Sequence, residues 1–253
     1  MGRLDGKITI ITDATEGLGE AQALAMSGEG AGIVCMGRTQ RAVDSIVSRI
    51  RDSGGDAAGC LANVEDVDDC KQTAAFAARH YGKIDVLCNS YNLFDGFKNS
   101  LDQTEEGWDK LFSVNVLGVF HMCNAVLPYM LENSGGVILN MSAIAAQTGG
   151  AGGAAYTASR HAVAGYTKQL CVDYAARGIR ANAIAAGTIM SPIVEEIFKN
   201  DPTERETIYH KIPAKRLGEP SELAAMSVFL ASDEAAWIHG AIIPFDGGRS
   251  ALG

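Results

Sequence analysis

Residues 8–30 read ITIITDATEGLGEAQALAMSGEG, and this stretch decides the fold class of the chain. The apolar run from Ile8 to Thr12 is typical of a short strand, and a glycine-bearing loop follows it. From Leu18 the pattern becomes that of an apolar helix, which Gly28 ends. A loop between a strand and a helix offers free backbone N–H groups and the positive end of the helix to a pyrophosphate. The stretch therefore predicts the first strand–helix unit of an α/β fold, with a phosphate site at its loop.

Charged residues near this loop bear on which anion it accepts. Asp13 and Glu16 place two carboxylates where a phosphate would approach. After the second apolar run, Gly37-Arg38-Thr39 contains no acid that would accept a hydrogen bond from a ribose 2′-hydroxyl. Arg38 can instead pair with a 2′-phosphate, which favours NADP over NAD as the cofactor. Two other interpretations stay open: Arg38 caps its own loop at the surface, or it pairs with Asp13.

Apolar runs alternate with helical patterns along the whole chain. The predicted strands are 8–12, 33–36, 56–61, 85–90, 137–142, 180–185 and 241–245. The predicted helices are 18–27, 40–51, 66–81, 104–132, 155–176 and 221–231. This alternation predicts a doubly wound parallel sheet with helices on both faces and right-handed crossovers. Since no stretch resembles a linker, we expect one domain over residues 1–253, with ligands at the carboxyl ends of the strands.

The composition argues against several classes of partner. Of the 253 residues 47% are hydrophobic, the net charge is −9 and the pI is about 5.0, which disfavours nucleic acid and anionic membranes. We find neither a signal peptide nor an apolar run that spans a bilayer, so we expect a cytoplasmic protein. The cysteines show no metal-ligand spacing, and we expect them to be reduced and mostly buried at positions 35, 60, 70, 88, 123 and 171.

The stretch Tyr156-Thr157-Ala158-Ser159-Arg160 closes a run of small residues and opens an apolar helix. Residues four apart share a helix face, so the Tyr156 phenol and the Arg160 guanidinium can point into one site. A phenol beside a fixed cation is a recognisable acid/base device, because the cation stabilises the phenolate. On the pattern alone, the pair also fits an ordinary helix surface. The rest of the chain decides between the two interpretations.

Several further motifs occur in the order and spacing of one family. They are Asn63-Val64, Asn89-Ser90, Asn115, Tyr156 and Asp246-Gly247-Gly248. With these motifs in register, the chain resembles the short-chain dehydrogenase/reductase family. The resemblance implies one Rossmann-type domain with a seven-stranded parallel sheet, a nicotinamide dinucleotide cofactor, and a homodimer or homotetramer. The cofactor-binding residues that it implies are Thr12, Asp13, Glu16, Gly17, Leu18, Gly19, Arg38, Asn63, Val64, Asn89, Ser90, Tyr91, Tyr156, Arg160, Gly187, Ile189 and Ser191.

Departures from the family pattern lie beside the expected cofactor. The family loop Thr-Gly-x-x-x-Gly-x-Gly has Asp13 in place of its first glycine. The usual Asn-Asn-Ala-Gly is Asn89-Ser90-Tyr91-Asn92, so a ring and an amide replace two small residues. The usual Pro-Gly is Ala186-Gly187.

The catalytic set of the family is Asn, Ser, Tyr and Lys, and two of its four members are substituted. Asn115 and Tyr156 match, whereas Arg160 replaces the Lys and Ala143 replaces the Ser. Arg160 can supply charge and donors to a ribose, but it cannot relay a proton. Ser142 lies one residue before Ala143, so strand alternation sends its side chain to the other face unless the strand has already ended. The candidate replacement donors are Ser142, Gln147 and Thr148, and the expected substrate pocket contains Ser142, Ala143 and Gln147.

The resemblance implies that Tyr156 gives or takes a hydroxyl proton while hydride moves to or from nicotinamide. We therefore expect an NADP-dependent oxidoreductase that acts on a carbonyl or secondary alcohol of a small hydrophobic molecule, with residues 191–213 as a lid. NAD is the alternative cofactor. One alternative function is a protein of this fold that does no hydride transfer and serves in binding or assembly. Another is non-redox acid/base chemistry by Tyr156.

The long helices at 104–132 and 155–176 are apolar around much of their circumference. A helix that is apolar on more than one face must bury the second face somewhere. In the family that face packs on a second subunit, which supports the expectation of an oligomer. The apolar residues that carry this argument are Phe112, Phe120, Met122, Tyr166, Leu170 and Tyr174.

Overall fold

The predicted apolar runs form one parallel sheet in a computed structural model that describes residues 2–200 and 202–252. Its strands are β1 (Ile8–Ile11), β2 (Gly32–Gly37), β3 (Ala57–Leu61), β4 (Val86–Asn89), β5 (Gly136–Ala143), β6 (Ile179–Ala186) and β7 (Ile242–Phe245). They lie side by side in the order β3-β2-β1-β4-β5-β6-β7. Every residue of β1, β4 and β6 is buried, as expected for strands covered on both faces. The predicted α/β fold class, a Rossmann-type doubly wound sheet of seven parallel strands, is confirmed.

Helices cover both faces of this sheet. They are α1 (Gly17–Gly28), α2 (Gln40–Asp52), α3 (Val67–Tyr81), α4 (Glu105–Phe112), α5 (Gly118–Glu132), α6 (Ala154–Tyr174), α7 (Pro192–Asn200), α8 (Pro202–Lys211) and α9 (Pro220–Ala231). One hydrophobic cluster joins the sheet to α1, α2 and α9, and a second joins it to α3, α5 and α6. The predicted strands and helices agree with the observed bounds to within two residues.

Helices α4 and α5 form one continuous helix, Glu105–Glu132, through a π-helical segment at Ser113–Leu117. By length and hydropathy it qualifies as a membrane span, which the sequence analysis did not expect, although core helices of soluble proteins pass the same test. Of its apolar 18-residue window, 56% is buried within the protein. The π segment contains Asn115, which is fully buried. Single π turns inside α-helices often mark functional sites, because the extra residue redirects side chains.

A buried polar network ties the middle of the sheet to α6. Asn89 Nδ2 donates to Asn140 Oδ1 over 2.9 Å, and Asn140 Nδ2 donates to Thr167 Oγ1 over 2.9 Å. Thr167 in turn donates to the Val163 carbonyl of its own helix. Because every member has a partner, the network costs little to bury and fixes how α6 sits on β4 and β5.

The 191–213 segment, expected to be a lid, contains α7 and α8 and lies beyond the carboxyl ends of the strands. Its apolar residues form a small separate cluster in which Ile208, Ile212 and Leu217 are buried. Four further residues pack on this cluster and are partly exposed, namely Met190, Val194, Phe198 and Tyr209. Asp201, one of the acids of this segment, lies outside the described residues. The segment therefore rests on its own core and presents some apolar side chains towards the strand ends.

Candidate active site

A cavity of about 340 Å³ opens at the carboxyl ends of the strands. Its first end is lined by the glycine loop and the residues that follow β2 and β4: Asp13, Glu16, Gly17, Leu18, Gly19, Arg38, Ser90, Tyr91 and Asn92. Its second end is lined mainly by apolar residues: Leu93, Phe94, Phe97, Ile144, Ala151, Val194, Ile197, Phe198 and Ile208. Tyr156, Arg160, Ser142, Ala143, Gly187, Ile189 and Ser191 also line the cavity. One space thus joins the predicted phosphate loop to the predicted catalytic tyrosine.

The backbone of the glycine loop explains most of its sequence. Gly17 has a φ of 55°, a conformation that favours glycine. A Cβ atom on Gly19 would lie 2.1 Å from the Asp13 carbonyl oxygen, so only glycine fits where α1 crosses the loop. Glu16 is the N-cap of α1, and its side chain makes no capping hydrogen bond. The Glu16 side chain thus leaves the N–H groups of the first turn of α1 uncapped. An anion that binds at a helix N-terminus needs such uncapped N–H groups.

Asp13 stands where the family has glycine, and its backbone explains that preference. Its φ is 54°, a left-handed conformation that asparagine and aspartate tolerate better than most other residues. Burial, with the nearby Glu16 charge, raises the pKa of Asp13 to about 6, and Arg38 partly offsets this increase. The loop therefore carries a carboxyl group that changes charge near pH 6, beside the N-terminus of α1.

Arg38 is exposed and stacks on Tyr91. Its guanidinium carbon lies 4.8 Å from the centroid of the Tyr91 ring. It forms none of the ion pairs found among residues 2–200 and 202–252, so pairing with Asp13 does not occupy it. The ring thus holds a guanidinium with free donors at the first end of the cavity.

Tyr156 is fixed by a carboxylate that the sequence analysis did not identify. The buried Asp95 accepts a hydrogen bond from Gly153 N and another from Tyr156 N, each over 2.9 Å. These N–H groups belong to the first turn of α6, whose N-cap, Gly153, has no side chain of its own. The Phe94 ring packs edge-on against the Tyr156 ring with centroids 5.0 Å apart. Tyr156 therefore has a fixed backbone and a fixed ring plane, and it is only 7% exposed.

Arg160 lies beneath the Tyr156 ring. The guanidinium carbon is 4.9 Å from the ring centroid, and only 1% of the residue is exposed. Nη1 donates to the Met141 carbonyl over 3.0 Å, and Nη2 donates to Asn92 Oδ1. Nε has no partner among the described residues. Burial lowers the pKa of Arg160, because no carboxylate compensates its charge there, although the Tyr156 oxygen opposes this effect.

Asn92 connects the two residues. Its Oδ1 accepts from Arg160 Nη2, and its Nδ2 lies 3.5 Å from the Tyr156 hydroxyl oxygen, to which it donates. Asn115 holds the loop that carries Asn92. Its Oδ1 accepts from Leu93 N and its Nδ2 donates to the Leu93 carbonyl, each over 2.8 Å. Asn115 also donates to Ser159 Oγ over 3.3 Å. The predicted residues Asn115, Tyr156 and Arg160 are thus brought together, with Asn92 between the last two.

Among the described residues, none of the candidate replacement donors forms a hydrogen bond with the Tyr156 hydroxyl. β5 continues to Ala143, so alternation turns Ser142 to the face of α6, where its Oγ donates to the Arg160 carbonyl over 3.4 Å. Placing Gln147 in the substrate pocket was wrong, because the turn at Ile144–Ala146 carries the chain outward and the exposed Gln147 bonds to the Ile242 carbonyl. Thr148 is exposed and donates to the Gly149 carbonyl. Ala143 contributes only a methyl group beside Tyr156.

Comparison with known proteins identifies the family. The profile described as enoyl-(acyl carrier protein) reductase matches residues 14–250. The 3-oxoacyl-(acyl-carrier-protein) reductase FabG of Thermotoga maritima is 36% identical over 248 residues, which cover 97% of this chain and 98% of that protein. The chain belongs to the short-chain dehydrogenase/reductase family. Its relatives are oxidoreductases, and so is this protein.

Two solved structures show how closely the fold is shared. Levodione reductase is 29% identical, with 99% of this chain and 100% of that chain covered and a TM-score of 0.93. A 7α-hydroxysteroid dehydrogenase in complex with NADH and 7-oxo glycochenodeoxycholic acid is 30% identical, with 97% and 95% covered and a TM-score of 0.91. Another structural relative, named as an NAD(P)-dependent gluconate 5-dehydrogenase, holds NADP. Short-chain dehydrogenase/reductases with this fold therefore bind nicotinamide dinucleotides.

Some residues expected at the cofactor do not line the cavity of this short-chain dehydrogenase/reductase. The Asn89 side chain is buried and donates to Asn140 in the core, whereas Ser90 of the same stretch lines the cavity. The Thr12 side chain is also buried, and its Oγ1 accepts from the N–H groups of Ser90 and Tyr91. Asn63 Oδ1 accepts from Glu65 N within its own turn. Val64 lines a small hollow beside Arg38 and Tyr91, next to the main cavity.

The contacts of Asp95 with α6 and the position of Asn92 beside Tyr156 were not predicted from the sequence. Asn92 was recognised as a departure from the family pattern, and its polar side chain in a normally small position was the available signal. Asp95 gave no such signal, because its partners Gly153 and Tyr156 lie 58 and 61 residues away along the chain. The apolar wall contributed by Phe94 and Phe97 was missed for the same reason.

The raised pKa of Asp13 predicts an effect on stability that needs no ligand. Its folded pKa of about 6 exceeds the ordinary value of 3.8, so the folded chain keeps this proton while the unfolded chain loses it. The contribution of Asp13 to the free energy of unfolding therefore falls as the pH rises from about 4 to about 6. Above pH 6 the destabilisation stays constant. We expect Asp13→Asn, which preserves the left-handed backbone, to be more stable than the wild type by about 1–3 kcal/mol above pH 6.

The free energy of urea unfolding between pH 4 and pH 8 checks this prediction. The advantage of Asp13→Asn should grow from pH 4 to pH 6 and then level off. Asp52→Asn, at the exposed end of α2, is the matched control for the loss of one surface charge. An advantage that does not vary with pH would show that Asp13 titrates normally.

Proposed function

We propose that this short-chain dehydrogenase/reductase is an NADP-dependent oxidoreductase for the carbonyl or secondary alcohol group of a hydrophobic molecule. Tyr156 is its general acid in reduction and its general base in oxidation. The supporting observation is the single cavity in which the glycine loop, Tyr156 and an apolar wall meet. This places one polar proton donor between a site suited to an anionic cofactor and a site suited to an apolar substrate.

The residues at the first end of the cavity fit a dinucleotide. The uncapped N–H groups of α1 suit a pyrophosphate, and the exposed guanidinium of Arg38 suits a 2′-phosphate. Gly187, Ile189 and Ser191 line the same space further along. When bound there, the nicotinamide would supply or accept the hydride. Asp13 opposes this binding when ionised, so Asp13→Gly or a pH below about 6 favours either cofactor.

Tyr156 donates or accepts the proton, and Arg160 and Asn92 act on its hydroxyl oxygen. The Tyr156 hydroxyl lies at the cavity with its ring fixed by Phe94 and its backbone fixed by Asp95. The Arg160 cation beneath the ring favours negative charge on the phenolic oxygen, although it cannot pass a proton on. Asn92 is the neutral donor at the same oxygen. These contacts support proton exchange between Tyr156 and a substrate oxygen, without the relay that lysine provides in the family.

The second end of the cavity favours a hydrophobic substrate. Phe94 and Phe97 pack edge-on against each other at 4.9 Å and form one wall. Helix α7 contributes Val194, Ile197 and Phe198 to the opposite wall. A site of this kind gains affinity in proportion to the apolar area that the ligand removes from water. The ligand of the related 7α-hydroxysteroid dehydrogenase structure is a bulky keto compound, which shows that the fold can hold such a molecule.

Oxidation of NADPH in the presence of hydrophobic ketones and quinones tests the proposed function. We expect turnover by the wild type and at least a 100-fold loss with Tyr156→Phe, because the proton donor is then missing. Initial rates at 340 nm across the panel measure this loss. Tyr81→Phe, at the end of α3 and outside the residues that line the cavity, is the matched control and should keep full activity.

Two outcomes would contradict the proposal. Turnover that Tyr156→Phe leaves unchanged would show that the wrong site has been assigned. Turnover only after Ala143→Ser and Arg160→Lys are introduced together would indicate a natural role in binding or assembly.

Arg38 predicts the choice of cofactor. We expect NADPH to bind more tightly than NADH, and Arg38→Ala to weaken NADPH binding with little effect on NADH. A charge-assisted contact to a partly exposed phosphate contributes about 1.5–3 kcal/mol, which is roughly 10- to 150-fold in affinity. Calorimetric titration of both cofactors measures the effect, with Arg41→Ala on the exposed surface of α2 as the control. Equal affinities that the substitution does not change would refute this assignment.

We also propose that the protein is a homodimer or homotetramer. The helix Glu105–Glu132 exposes Trp108, Leu117 and Phe120 by 37%, 49% and 46%. Phe120 packs on Tyr166 of α6 with ring centroids 5.9 Å apart, so the apolar surface extends over both helices. Met122 and Leu170, in contrast, are buried in the core of the subunit. They do not contribute to the exposed apolar face. Exposed apolar surface of this kind supports a subunit contact.

Light scattering at micromolar concentration should therefore give at least twice the mass of the chain, which is 26.6 kDa. Phe120→Glu should shift the mass towards the monomer, because it places a charge in the centre of the apolar face. Val67→Glu, at an exposed position at the start of α3, is a control for added charge. A monomeric wild type would contradict the proposal.

A further inference from the structure

The site lacks a hydroxyl group at Ala143, where this family has serine. A carbonyl oxygen that gains negative charge during reduction needs a hydrogen-bond donor besides the acid. Ser142 lines the cavity, but its hydroxyl donates to the Arg160 carbonyl over 3.4 Å and is engaged there. Gln147 and Thr148 donate to backbone carbonyls outside the cavity.

Asn92 is placed to supply this donor. It lines the cavity, is exposed, and has its Nδ2 3.5 Å from the Tyr156 hydroxyl oxygen. A primary amide carries two N–H donors. The second donor forms no hydrogen bond to any described residue, and the residue itself opens to the cavity. Long contacts in an empty site commonly shorten once the substrate is bound.

Arg160 determines which way this amide faces. A guanidinium has donors only, so it can hold the oxygen of the amide but not its nitrogen. With Oδ1 held by Arg160 Nη2, the NH₂ group is directed to Tyr156. Arg160 is itself held by the Met141 carbonyl and is almost fully buried. The orientation of Asn92 therefore follows from the network and does not depend on a choice between nitrogen and oxygen.

We propose that Asn92 is a catalytic residue that donates a hydrogen bond to the reacting substrate oxygen, in place of the serine hydroxyl, and that Arg160 is its positioning residue. The proposal rests on the proposed function. In reduction, a bound reduced nicotinamide would supply hydride to the carbonyl carbon and would itself be oxidised, and the oxygen would gain the Tyr156 proton. The Asn92 proton stays on its nitrogen throughout. The amide lowers the barrier by stabilising the charge that develops on the oxygen.

A double-substitution cycle between Asn92→Ala and Ala143→Ser tests this assignment. Asn92→Ala should lower kcat about 100-fold, as the loss of one such donor does in other enzymes, with KM for NADPH within about threefold. Ala143→Ser in that background should recover at least 10-fold, while in the wild type it should change kcat by less than about threefold. A merely structural role of Asn92 would instead give independent effects. Asn124→Ala, an exposed asparagine on α5, is the control.

A second variant covers the case in which Asn92→Ala does not fold. Asn92→Asp has nearly the same shape, keeps an oxygen for Arg160, and lacks the N–H donors, so the same loss of kcat is expected. A kcat within threefold of the wild type in both variants would overturn the proposal. So would a loss that Ala143→Ser does not recover, and so would activity that appears only after Ala143→Ser. If Tyr156→Phe leaves turnover unchanged, the proposed function itself fails.

Discussion

The carboxylate of Asp95 is the contact on which the site depends. It accepts hydrogen bonds from the backbone of Gly153 and Tyr156, and so closes the first turn of α6 from a loop that follows β4. The position of Gly153 is equally constrained, because a Cβ atom there would lie 2.5 Å from Asp95 Oδ2 and 2.4 Å from the Lys98 carbonyl oxygen. A helix without a capping side chain of its own is thereby fixed to the loop that carries Asn92 and Phe94. The phenol, the amide and the apolar wall take their relative positions from this one cap.

The electrostatics of the site follow from charges that are buried without ionic partners. Arg160 is compensated by the face of an aromatic ring, a backbone carbonyl and an amide oxygen, and not by a carboxylate. Asp13 is compensated only in part by Arg38, and its pKa rises to about 6. Both groups cost stability when they are charged. The Arg160 charge fits the proposed role near a reacting oxygen at Tyr156. The Asp13 carboxylate would repel a phosphate when ionised, and nothing in the structure explains why the loop carries this charge.

The fold could be predicted because it depends on apolar runs that are local in sequence. Each strand of the sheet is a short buried run, and each helix between them has start and stop signals nearby. The prediction that Tyr156 and Arg160 share one site, because i and i+4 share a helix face, agrees with the structure, where the guanidinium carbon lies 4.9 Å from the ring centroid. Gln147 was misplaced because the 3₁₀ turn at Ile144–Ala146 redirects the chain after β5. Side-chain directions in loops depend on contacts with distant elements, and no local pattern encodes them.

The three unusual residues at the tyrosine form one arrangement. The methyl group of Ala143 leaves the Tyr156 hydroxyl without a hydroxyl neighbour from β5, and the Asn92 amide supplies the polar group there. That amide faces the hydroxyl only while Oδ1 is held, and the donor that holds it is Arg160. A lysine at position 160 would offer one ammonium group in place of a planar fork, so it could not reach the Met141 carbonyl and Asn92 with the same geometry. The loss of the serine and the exchange of lysine for arginine are therefore physically linked through Asn92, and each substitution has to be judged together with the other two.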